Sequence, residues 1–134
     1  MVQSAQPGDI ERMSHKTWAV HFRYATVGKV DDNCHPFDIG SGSWLMHNGT
    51  IDKLNVLHHG RSDSWHLANA VRRGRDLKWA AMKAKPSGSR LLVATSGEKV
   101  YRIGEWSRRS AGWFSNDRCF GRSRVRRLVA GCFK

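Results

Sequence analysis

Gly40-Ser-Gly-Ser-Trp-Leu-Met-His-Asn-Gly-Thr-Ile51 decides how this chain is read. The glycine-serine run leads into a short apolar strand, Trp44-Leu-Met-His47. Asn48-Gly49 is then a turn signal, because both residue types tolerate positive φ. Read alone, this is a hairpin turn; it can equally aim the Asn48 side chain and the Gly49 backbone N–H at a bound group. Upstream, Thr17-Trp-Ala-Val-His-Phe-Arg-Tyr24 alternates large apolar residues with Ala19, His21 and Arg23. That period of two predicts a strand with His21 and Arg23 on one face. Ala25-Thr-Val-Gly28 breaks the strand into a turn, the usual place for a binding loop, and Asp31-Asp-Asn-Cys-His-Pro36 reads as a further loop.

Downstream of His58-His-Gly-Arg61, Ser62-Asp-Ser64 offers helix caps before Trp65, Ala68 and Val71 at helical spacing. Gly74 interrupts, and Asp76 restarts a helix that carries Leu77, Trp79, Ala80, Ala81, Met82 and Ala84 up to Pro86. Arg90–Thr95 and Lys99–Ile103, joined by Ser96-Gly-Glu98, predict a β-hairpin. Gly112-Trp-Phe-Ser-Asn116 follows, then a basic tail. This order predicts an α+β domain with an antiparallel sheet and packed helices. Its expected divisions are a leader over 1–15, a domain over 16–117 and a C-terminal tail over 118–134.

The 134 residues suit one domain with a real core. No apolar run approaches the roughly 20 residues needed to cross a bilayer, so a cytoplasmic protein without membrane contact is expected. Cys34, Cys119 and Cys132 are an odd number without CxxC spacing, which argues against a disulfide framework. The spacings of Cys34, His35, His47, His58 and His59 match no metal template, so neither metal nor other cofactor is expected. The net charge of +12 is lopsided: residues 1–63 hold 6 Lys/Arg against 7 Asp/Glu, and residues 64–134 hold 17 against 4. Arg72, Arg73, Arg75, Arg122, Arg124, Arg126 and Arg127 are therefore candidate contacts for a polyanion, either nucleic acid or an acidic protein face.

His21-Phe-Arg-Tyr-Ala-Thr-Val-Gly28, Asn33-Cys-His-Pro-Phe37, Met46-His-Asn-Gly-Thr-Ile51 and Ser62-Asp-Ser64 together resemble the ligand-binding half of class II glutamine amidotransferases, a family of N-terminal-nucleophile hydrolases. Leu91–Thr95 and Gly112–Asn116 resemble the later hairpin of small phage-type members. The resemblance implies part of a layered αββα sandwich. It also implies that Arg23 pairs with the α-carboxylate of a glutamine-like ligand, that Asp63 receives its α-ammonium group and that Thr26 and Gly28 shape the loop. Asn48 and Gly49 would form the oxyanion hole, with His47 orienting that loop.

Two departures matter. The family often has His where this chain has Val27, and the chain opens Met1-Val2-Gln3, without the cysteine that family members use as nucleophile. The leading expectation is thus a degenerate amidotransferase-like binding protein, such as a phage-encoded inhibitor acting in the host cytoplasm on a nucleoprotein or defence complex. One alternative is an active glutaminase whose nucleophile segment lies outside this chain. Another is a nucleic-acid-binding module in which Trp79, Trp106 or Trp113 stacks on bases. A half-sandwich with a bare sheet face would also favour a homodimer or a complex subunit.

Overall fold

The computed structural model describes residues 19–21, 33–55, 60–110 and 112–116. The 1–15 leader, most of the Thr17–Tyr24 strand and the 118–134 tail lie outside them. The described part is an α+β arrangement of antiparallel sheets and short helices. Four strands, β1 (Phe37–Gly40), β2 (Ser43–Asn48), β3 (Arg90–Ala94) and β4 (Val100–Ile103), form one sheet in the order β1-β2-β3-β4, with every pair antiparallel. Between β2 and β3 run α1 (Asp52–Asn55), α2 (Asp63–Arg72), α3 (Leu77–Ala84) and a 3₁₀ turn over Lys85–Ser87. A separate two-stranded ribbon pairs β5 (Ser107–Arg109) with β6 (Gly112–Phe114).

The capping residues read from the sequence act as caps. Ser62 precedes α2 in an extended conformation and accepts the Trp65 N–H, and Asp76 does the same for Trp79 ahead of α3. Each satisfies a donor that the first helical turn leaves open. The Arg90–Thr95 and Lys99–Ile103 hairpin also forms, with Thr95 N–H bonded to Lys99 O across its turn.

Asn48-Gly49 does not turn a hairpin. The β1–β2 hairpin turns earlier, at Ser41-Gly42, and β2 leaves the sheet after Asn48 to enter α1. Its next partner, β3, arrives only after the helical segment, in a register running from Trp44↔Ala94 to Asn48↔Arg90. Phe37–Gly40, to which the sequence assigns no element, is an edge strand bulged between Asp38 and Gly40.

Alternation gives the sheet two unlike faces. Leu45, His47, Leu91 and Val93 point inward, and Leu45, Leu91 and Val93 are fully buried. They pack with Phe37, Ile51 and Leu54, with Leu67 and Ala68 of α2, and with Ala80 and Ala84 of α3. The small alanines let the helices approach the sheet closely, and this cluster is the core. The register places Trp44, Met46, Asn48, Arg90, Leu92, Ala94, Val100 and Arg102 on the other face. The β5–β6 ribbon reaches one end of that face, because Asn48 Nδ2 donates to Ser115 Oγ at 2.7 Å and the Arg102 guanidinium lies 4.4 Å from the Trp113 ring centre.

Candidate functional site

Four sequence-distant segments meet where β2 ends and α2 begins. His47 is the last inward residue of β2, so its ring points at the first turn of α2. There its Nδ1 lies 2.7 Å from Ser64 Oγ and 3.9 Å from Asp63 Oδ2. Asp63 is buried, and each carboxylate oxygen accepts a backbone N–H: Oδ2 from Ile51 at 2.6 Å and Oδ1 from Ser64 at 2.8 Å. The loop before α2 is tied in by Asn33, whose Oδ1 accepts Ser62 N–H at 2.6 Å while its Nδ2 donates to Gly60 O at 3.1 Å. His21 Nε2 donates to His47 O at 3.2 Å, and the His21 ring lies tilted against that of His35 with centres 4.0 Å apart. His35 in turn meets Phe37 edge-on.

The chemistry of this cluster is that of a closed relay. With a hydrogen on Nδ1, His47 donates to Ser64 Oγ, whose own hydrogen then points at Asp63 Oδ1 at 3.4 Å. Serine and aspartate thus sit on the same ring nitrogen, unlike a nucleophilic triad, where they flank the ring on opposite nitrogens. Nε2 is buried and has no hydrogen-bond partner among the described residues. Burial drives the His47 pKa below its ordinary 6.5, and the nearby Asp63 charge opposes that shift only in part.

A folded-state pKa below the unfolded one means that the unfolded chain takes up the proton first as pH falls. The stability contribution is therefore complete above pH 6.5 and is lost progressively below it. Thermal melts at pH 7 and pH 5 should show wild type losing more stability than His47→Gln, by up to about 1.4 kcal/mol per pH unit. Equal losses would remove His47 as the titrating group.

Asn48 sits on the opposite sheet face, and its amide orientation is set by Ser115. Gly49 follows at φ +134°, and a Cβ there would overlap Ser89 Oγ and come within 2.9 Å of Ser89 Cα. Ser89 is itself buried and hydrogen-bonded through its hydroxyl to Ser87. Glycine is thus required at position 49 by close approach, whatever its N–H does.

Of the residues proposed from sequence, Asn48 ends β2 on the outer face of the sheet, Gly49 follows it against Ser89, and Asp63 lies on the inner side at the start of α2; Arg23, Thr26 and Gly28 lie outside the described residues. Arg72, Arg73 and Arg75 gather at the C-terminal end of α2, where cations complement the negative end of the helix dipole. Arg72 pairs with Asp38 at 3.5 Å, and Arg75 lies over Trp79. Arg122, Arg124, Arg126 and Arg127 lie outside the described residues. Cys34, the described cysteine, is exposed. Among the described residues no group of three or more His, Cys, Asp and Glu could hold a metal ion, and no helix is long and apolar enough to cross a membrane.

Asn33, Ser64, Ser89 and Ser115 were not legible as site residues. Each is a small polar residue whose importance comes from the partner that the fold brings to it. Compared with family models, with curated proteins and with solved structures, the chain matches none.

Proposed function

We propose that this chain is a class II glutamine amidotransferase-like domain, built on part of an Ntn-hydrolase sandwich, that holds a glutamine-like ligand without hydrolysing it. In this reading its basic half docks on a nucleic acid or an acidic host protein. The observation that carries the reading is the meeting of His21, Asn33–Phe37, His47–Ile51 and Ser62–Ser64. These are the segments that the resemblance draws on, and they are otherwise scattered over 44 positions of the chain. The ribbon that reaches one end of the second face of the sheet is in keeping with a second layer there.

Loss of hydrolysis is supported by the chemistry of the cluster. The buried polar groups of Asp63 and Ser64 are spent on internal bonds, Val27 stands where the family often has His, and the described thiol, Cys34, is exposed. Donors and clamps without an activated nucleophile leave at most weak residual catalysis. Arg23, two residues beyond His21, is the expected carboxylate clamp.

Calorimetric titration with L-glutamine should therefore give binding that falls at least roughly 10-fold in Arg23→Ala, in line with the loss of a charged, two-point hydrogen bond. An ammonia-release assay on the same protein should stay at the buffer baseline. Ammonia release well above baseline removes the non-hydrolysing reading. Absence of glutamine binding removes the pocket.

A further inference from the structure

The exposed end of the β5–β6 ribbon carries a basic and aromatic surface separate from the His47–Asp63 cluster. Trp113 is 43% exposed. The Arg102 guanidinium carbon lies 4.4 Å from its ring centre and that of Arg108 lies 5.7 Å away. Arg108 is held there by the ribbon itself, as the cross-strand partner of Trp113, whereas Arg102 comes from β4. The two strand pairings thus converge on one indole. Both arginines are exposed, and neither lies within ion-pairing distance of a carboxylate among the described residues.

The surroundings keep the sign of the charge. Residues 90–116 hold Arg90, Lys99, Arg102, Arg108 and Arg109 against Glu98 and Glu105. Arg90 is anchored by a bond from its Nε to Glu105 O. The turn leading from β4 towards β5 is pinned as well, because Gly104 packs so closely that a Cβ there would lie 2.7 Å from Ser89 O. The β4 side of this surface is therefore tied to the neighbouring β3.

We propose that Trp113, Arg102 and Arg108 form a stacking platform for single-stranded nucleic acid. A guanidinium lying over an indole keeps its N–H edge outward for phosphate oxygens, and both planes can stack on an unpaired base. An acidic peptide would use the N–H groups, but its carboxylates offer no flat ring to stack on the indole. A duplex hides its bases from stacking, so the strand must be single. This inference rests on the docking role proposed above for the basic half, to which it gives a surface and a partner, and it is independent of glutamine binding.

The test is fluorescence anisotropy of labelled dT20 and rU20 with the full chain at several salt concentrations. Trp113→Ala should weaken binding at least roughly 10-fold, the scale of losing one base stack. Trp113→Phe should recover most of the loss. Arg102→Ala and Arg108→Ala should each make the slope of log affinity against log salt shallower by about 0.7, the value for one phosphate contact on a single strand. All four variants should melt as wild type does and, if glutamine binds, keep its affinity.

Unchanged oligonucleotide affinity in Trp113→Ala would overturn the proposal by assigning any binding to other basic residues. Equal affinity for a duplex of the same sequence, or for polyglutamate of matched charge, would overturn it too. So would the failure of wild type to bind either oligonucleotide.

Discussion

Asp63→Ala is expected to destabilise the protein by roughly 2–5 kcal/mol, the range for leaving two buried backbone donors without an acceptor. The reason lies in what the carboxylate holds. Its Oδ2 takes the Ile51 N–H at the exit of β2, and its Oδ1 takes the Ser64 N–H in the first turn of α2. It is the nearby charge that opposes, in part, the effect of burial on His47. Alanine would leave those two donors without an acceptor and cut the link between sheet and helix. It would also remove a negative charge from a helix N-terminus. Asp63→Asn keeps one carbonyl acceptor but turns an NH₂ towards a backbone donor, so it should fall between wild type and alanine. Urea unfolding decides the matter: the midpoint should fall with an unchanged slope. A shift equivalent to less than about 0.5 kcal/mol, the range of an ordinary surface substitution, would mean that the carboxylate holds nothing together.

Gly49→Ala should cost roughly 2–4 kcal/mol, combining backbone strain with overpacking. At φ +134° an L side chain is strained even in open space, and here the space is filled by Ser89. The two contributions can be separated. Ser89→Gly in the Gly49→Ala background removes the hydroxyl and Cβ but leaves Ser89 Cα at 2.9 Å and the φ strain unchanged. It should therefore restore part of the loss and no more. Full restoration would show that the backbone conformation costs nothing, and no restoration would show that the overlap is relieved some other way. This test also bears on the oxyanion-hole reading of Asn48 and Gly49, because it measures how much of the glycine requirement is plain packing.

Much of the local structure could be read before any tertiary contact was known. Ser62 and Asp76 announced α2 and α3 because a capping side chain satisfies a helix donor within three residues of itself. The β3–β4 hairpin was legible because its strands flank a short polar turn. Elements without a local signature were not. Phe37–Gly40 has four residues and a bulge, and Asp52–Asn55 is a single turn of helix, too short for a period to register. Ser107–Arg109 has no apolar residue, and it is a strand only because Gly112–Phe114 pairs with it. Asn48-Gly49 carried a strong turn signal that the fold overrode. The chain there leaves the sheet, and the partner strand arrives some forty residues later.

The candidate sites divide the same way. The family resemblance singled out His21, Asn48, Gly49 and Asp63, and the charge count singled out the basic excess of the second half, because motif spacing and charge are properties of the chain. The fold alone set Ser64 against His47, Ser115 against Asn48, Ser89 against Gly49, and Arg102 and Arg108 against Trp113. Most of these meetings depend on strand pairing or helix-on-sheet packing between segments far apart in sequence. Such contacts are selected by the burial of Leu45, Leu67, Leu91 and Val93 in one common core, a cooperative choice that no local stretch of residues encodes.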